Sequence, residues 1–184
     1  MVRTKFFAAA ATLALVAACG QQAQQAETTP PPMAEAPVMN QASMSEAQFV
    51  QVAANLSAFE VEAAELAAER ATADVKAFAE QMQREHQTAS QELTQLAPTL
   101  GMQAPAPALD SEHQQDLAQL QSLNGAEFDD AYLDQQVETH ENTVRTFEDY
   151  AQNGAPGPLR DWAQAALPKL QQQLTQAQSL ENAS

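Results

Sequence analysis

His140 interrupts an apolar stripe. Around "VETHENTVRTF", residues 137–147, the side chains Leu133, Val137, Val144, Phe147 and Ala151 recur at helical spacing, and an imidazole stands among them. Glu60, His86 and Gln173 stand in the same way on or beside apolar stripes elsewhere in the chain. A carboxylate, two imidazoles and an amide have two chemical uses in a core. They can hold a divalent ion, since imidazole and carboxylate suit zinc or iron. They can also bond to one another as a structural layer that fixes helix register at some cost in stability. Left without partners, each costs on the order of 1–3 kcal/mol.

Other chemistry is scarce. A di-iron bundle needs about four carboxylates with two Glu-x-x-His pairs; here Gln83 precedes His86 by three and Val137 precedes His140 by three. Glu85, Glu138 and Glu141 read first as solvated flanks. "DSEH" puts Asp110 three before His113 with no second pair opposite, and it reads as an exposed helix start. No Gly-rich phosphate loop, serine nucleophile elbow or Cys/His cluster appears.

The elements that must position these groups are helices. Only five glycines occur in 184 residues rich in Ala, Gln, Leu and Glu. Ser43 with Glu46, or Ser45 with Gln48, offers a capping box, and Phe49, Val52, Leu56, Phe59, Ala63, Leu66 and Arg70 predict a helix over about 46–71. "TAD" at 72–74 breaks it and caps a second helix carrying Val75, Phe78, Met82, Ala89, Leu93 and Leu96. Residues 98–109, with three prolines, form a loop. A short helical segment from near Ser111 to Leu123 precedes a break at Asn124-Gly125, and the stripe resumes from Phe128 to Ala151. "NGAPGP" at 153–158 is a stop and turn. Leu159, Ala163, Ala166, Leu170 and Ala177 mark the last helix, with Trp162 beside the stripe and a kink expected at Pro168. No segment reads as a strand. The fold class is all-α: an up-down-up-down four-helix bundle with a short extra helical segment before the third long helix.

Helix rise tests whether the polar groups meet. Glu60 lies 13 residues before residue 73, the first hairpin turn, and His86 lies 13 after it, each roughly 20 Å down its helix. With the second hairpin, centred near 155, at the same end, His140 is 15 residues down and Gln173 is 18. One polar group per helix then falls within about two turns of a common level.

The N-terminus says where the chain goes. Arg3 and Lys5 precede an apolar stretch, Phe6 to Val16, which is the layout of a secretory signal too short to span a bilayer as a mature helix. "VAAC" resembles the bacterial lipobox, in which the cysteine, here Cys19, becomes the lipid-bearing first residue and anchors without spanning; ordinary signal cleavage is the alternative. Gly20 rather than Asp follows, which in Gram-negative lipoproteins implies the outer membrane, facing the periplasm. The expected domains are a signal at 1–19, a disordered Gln/Pro/Ala tether at 20–42 and the bundle at 43–182. With 24 acidic and 8 basic residues the net charge is −16, a field that repels nucleic acid. The sequence names no protein partner.

"FEVEAAELAAERATADVKAFAEQMQREHQTASQEL", "GAEFDDAYLDQQVETHENTVRTFEDYA" and "LRDWAQAALPKLQQQLTQAQSL" resemble the bacterial family of domain of unknown function 4142 over about residues 46–180. The resemblance implies a ferritin-like four-helix bundle, often exported and lipid-anchored. Its pattern falls on Glu60, on Glu85-His86 and on His140. It also has a histidine in "LPxLxxHL", where this chain reads "LPKLQQQL" with Gln173. An amide is a poor ligand for zinc or iron, and a shared fold assigns no activity.

Two readings follow. The first, which the sequence favours, is a non-catalytic envelope lipoprotein whose acidic bundle binds partners or serves stress tolerance. The second is a ferritin-like protein holding one divalent metal, zinc or iron, through Glu60, His86, His140 and Gln173.

Overall fold

The computed structural model describes residues 44–183; the expected signal segment with Cys19, the tether and the Ser43 cap lie outside the described residues. The described chain is all helix and loop, with five α-helices: α1 Glu46–Arg70, α2 Ala73–Leu96, α3 Ser111–Gln121, α4 Ala126–Asn153 and α5 Pro158–Glu181. No helix among these residues is long and apolar enough to cross a membrane.

Helix α1 starts at a capping box. Ser45 Oγ accepts from Gln48 N at 3.4 Å, and Gln48 Oε1 accepts from Ser45 N at 3.0 Å, so two otherwise unpaired amides are satisfied reciprocally. The buried face of α1 is rich in alanine (Ala53, Ala54, Ala63, Ala64, Ala67), which lets neighbouring backbones approach closely. Val52, expected on that face, is 41 % exposed. Helix α2 runs into a 3-10 turn, Ala97–Leu100, ended by Gly101 at φ 73°. Helix α5 passes through Pro168 without a break, and Pro168 faces solvent.

Thr72, first residue of the "TAD" break, is the N-cap of α2 but makes no side-chain cap bond. Its hydroxyl and amide turn instead to α4: Thr72 N donates to Asp129 Oδ1 at 3.0 Å, and Thr72 Oγ1 donates to Asp129 Oδ2. Gly125 N donates to Arg70 O at 2.8 Å. Its backbone, φ 59° and ψ −136°, is a conformation that glycine adopts without Cβ strain. The start of α4 is therefore tied to the α1–α2 turn. At the other end Phe49, near the start of α1, stacks on Tyr150 near the end of α4, with ring centroids 3.9 Å apart.

These contacts correct one expectation. The two hairpin turns lie at opposite ends of the bundle, because the chain returns along it between α2 and α4. The returning segment is strapped to α1 by Gln51 Nε2 donating to Ala106 O at 3.1 Å and Ala108 N donating to Asn55 Oδ1 at 3.0 Å. It then rises as α3, the short extra segment read from the sequence. Counting α3, the direction alternates at every helix. His140 keeps its height despite the inversion because it lies close to the middle of α4.

The apolar core is in two pieces. One cluster gathers Phe59, Ala63, Phe78, Met82, Leu120, Phe128 and Tyr132 towards the α1–α2 turn. The other gathers Phe49, Ala53, Leu93, Phe147, Tyr150, Leu159 and Leu170 towards the α4–α5 turn.

The Asp129–Thr72 clasp links the two hairpins through side chain and backbone, and Asp129 is only 6 % exposed. Asp129→Ala leaves the Thr72 amide unpaired and should lower unfolding free energy by about 2 kcal/mol in urea titration. A change below about 0.5 kcal/mol would show that the clasp is energetically idle.

Candidate metal centre

Between the two apolar clusters lies a polar layer. Glu60 comes from α1, His86 from α2, Gln136 and His140 from α4, and Gln173 from α5; all five are buried. The sequence forces them inward: Glu60 follows Leu56 by four, His86 follows Met82 by four, and Gln173 lies between Leu170 and Ala177. Glu60, His86 and His140 are 0 %, 4 % and 1 % exposed, and one ligand atom from each lies within 4.8 Å of the other two. The imidazole rings stand edge to face, centroids 5.9 Å apart at 73°.

Gln136 organises two of the three. Its side-chain Nε2 donates to Glu60 Oε2 at 2.7 Å, and its backbone carbonyl lies 2.9 Å from His140 Nδ1. A carbonyl only accepts, so Nδ1 is the donor in this bond, and Nε2 is the ring atom left open to a ligand. A second atom pair, His140 Nδ1 and Glu60 Oε1 at 3.9 Å, is too long for a hydrogen bond, and the carbonyl is the real partner. Histidine metal ligands are oriented in this manner, one nitrogen tied to a carbonyl and the other free.

The remaining polar atoms of the layer have no hydrogen-bond partner among the described residues. Glu60 Oε1, both nitrogens of His86, His140 Nε2, Gln136 Oε1, Gln173 Oε1 and the Tyr132 hydroxyl are all buried and unpaired. Buried polar groups are as a rule partnered, so these open atoms mark the layer as a candidate ligand site.

Burial also sets the protonation states. It pushes the Glu60 carboxyl up, against the opposing influence of His140, the Gln136 hydrogen bond and His113. It pulls His86 down to about 3, helped by His140 and Lys169. It raises the Tyr132 hydroxyl well above the usual range, with Glu60 adding to the effect. His86 is therefore a neutral ring with a lone pair throughout the physiological range.

Gln173 belongs to the layer but is engaged elsewhere: its Nε2 donates to Glu85 Oε2 at 2.6 Å, leaving its carbonyl oxygen unpaired. Glu85, read as a solvated flank, is half-buried beside a cavity of about 50 Å³ that also touches His86, Lys169 and Trp162. His113 is not the exposed residue expected. Its side chain is 22 % exposed and its ring lies on Phe59, centroids 4.5 Å apart, with Nδ1 3.1 Å from Asp110 Oδ1.

Sequence reasoning missed Gln136 and Tyr132. The apolar stripe was drawn through Val137 and Val144, yet the buried face of α4 runs Tyr132, Gln136, His140, Thr143, Phe147. Steps of four back from His140 carry the signal, which apolar residues alone do not.

Residues 28–180 match the family described as Domain of unknown function (DUF4142). No curated protein and no solved structure matches the chain.

The depressed His86 predicts an acid sensitivity of the metal-free chain. Below about 6.5, the ring's ordinary value, the unfolded chain takes up a proton that the folded chain refuses until about pH 3. Stability should fall across that window as pH drops, at up to about 1.4 kcal/mol per unit. His86→Leu should flatten that part of the curve in denaturation series at stepped pH; parallel curves for the two chains would refute the assignment.

Proposed function

The chain belongs to the DUF4142 family, and we propose that its bundle holds one divalent metal ion between Glu60, His86 and His140. The observation that carries this reading is the convergence of three buried ligand atoms within 4.8 Å, with Glu60 Oε1, His86 and His140 Nε2 lacking a hydrogen-bond partner among the described residues. Two imidazoles and one carboxylate fit zinc or iron. Gln136 orients Glu60 and His140, while Gln173 stays with Glu85 and leaves three protein ligands. A divalent ion there would supply Lewis acidity as zinc, or redox chemistry as iron.

The same geometry favours holding the ion over turning over an organic substrate. The adjoining cavity is about 50 Å³, against roughly 300–1,000 Å³ for pockets that take drug-sized ligands. The role that follows is non-catalytic sequestration of a metal in the cell envelope. Of the two chemical uses open to the polar layer, the open atoms of Glu60, His86 and His140 support an ion over a self-bonded layer. Export through the N-terminal signal and lipid attachment at Cys19, on the outer membrane facing the periplasm, belong to the proposal and rest on residues 1–20 alone. The acidic surface fits a protein that avoids nucleic acid.

Titration of the metal-free chain with Zn2+ should saturate at one equivalent, and Fe2+ under anaerobic conditions should compete. At free metal 100 times Kd the fold should gain about 2.7 kcal/mol. His140→Ala should abolish binding, and Gln136→Ala should weaken it about 10–100-fold. No stoichiometric uptake by the folded wild-type chain would overturn the proposal. Separately, Cys19→Ser should abolish lipid labelling and release the protein from the membrane fraction; unchanged fractionation rules out the anchor.

A further inference from the structure

On the other side of α1 a groove of about 240 Å³ opens between α1, α3 and α4. Val52, Leu56 and Phe147 give it an apolar lining, and Glu112, Asp116 and Glu138 bring carboxylates. We infer that this groove is a binding site for a small organic ammonium ion, a protonated amine carrying an alkyl or aryl body.

The polarity of the groove selects such a ligand. No lysine or arginine lines it. The Thr143 and Thr146 hydroxyls donate to backbone carbonyls of their own helix, at 2.7 and 2.9 Å, and so turn oxygen lone pairs outward. Gln135 spends its amide nitrogen on Asp116 O at 3.4 Å, and its Oε1 is buried without a partner. His113 packs on Phe59, with Nδ1 3.1 Å from Asp110 Oδ1 but not hydrogen-bonded to it. Thr139 and Asn142, the latter with its Oδ1 accepting from Arg145, add donors to the lining, so it is the three carboxylates that select a guest carrying positive charge.

A bare metal ion fits less well. Among the described residues, Glu60, His86 and His140 are the only acidic, histidine or cysteine side chains whose ligand atoms converge in a group of three. Glu112, Asp116 and Glu138 are spread around the groove, as suits an extended cation with an apolar body. The Asp116 carboxyl is raised first by burial, with His113 opposing and Glu112, Glu138 and Asp110 adding smaller rises. Val52, the one large apolar side chain among the described residues left exposed, gives the body of the guest a surface to cover.

The test is calorimetric titration of the full chain with 2-phenylethylammonium, and with 2-phenylethanol as its neutral counterpart. Saturable one-to-one binding of the ammonium, at least tenfold tighter than the alcohol, is expected. Asp116→Asn combined with Glu138→Gln should weaken it at least tenfold, and Val52→Lys, at an exposed position, should abolish it while leaving the circular dichroism spectrum intact. Equal affinity for amine and alcohol would overturn the inference. So would unchanged ammonium binding in folded Val52→Lys, which would mean attraction to the general negative charge, or Mg2+ binding one-to-one and displacing the amine, which would mark a metal site instead.

Discussion

A carboxylate and two imidazoles taken out of water at mid-height are the constraint around which the bundle is arranged. Desolvation of Glu60 and His86 opposes folding in the absence of a cation, and the surrounding residues divide the compensating work. Gln136 does the most, because one residue meets Glu60 with its side chain and His140 with its backbone. Only a helical residue four before the histidine can reach its Nδ1 in this way. The apolar clusters on either side exclude water from the layer.

Around that layer the fold uses small contacts to secure large rods. Alanines along α1 bring backbones together, while Trp162 reaches across from α5 to donate to Glu92 Oε2 on α2 at 2.8 Å. The hairpins are clasped at one end by Asp129 and Thr72 and stacked at the other through Phe49 and Tyr150. Helix α3 is the least buried of the five, with only Leu117 and Leu120 in the core. Its position is what leaves a groove beside α1 and α4.

Much of this was legible in the residues. Helix limits followed from Ser45-x-x-Gln48, from Pro98 and Gly101, and from the glycines at 125, 154 and 157, since caps and stops act locally. His86, His140 and Glu60 were legible as inward groups because helical periodicity alone places them. The end of the bundle at which α4 begins was not. That depends on the path of residues 101–110, which carry no period, and on contacts such as Gly125 with Arg70 that span more than fifty residues. His140 escaped this error by lying at mid-helix, where direction does not change height. Gln136 was passed over for a different reason: a stripe drawn from apolar residues skips a glutamine whose burial depends on what it touches across the bundle.

The return of the chain along α3 has a kinetic consequence. Each hairpin, α1 with α2 and α4 with α5, closes from contacts between neighbours in sequence, and such contacts form early. The bond from Gln136 to Glu60 joins residues 76 apart, across the whole crossover. Its closure waits on loop entropy and on the docking of two preformed halves. The layer is thus expected to assemble late in folding, and a nascent chain emerging from its N-terminus owns only Glu60 and His86 until α4 arrives.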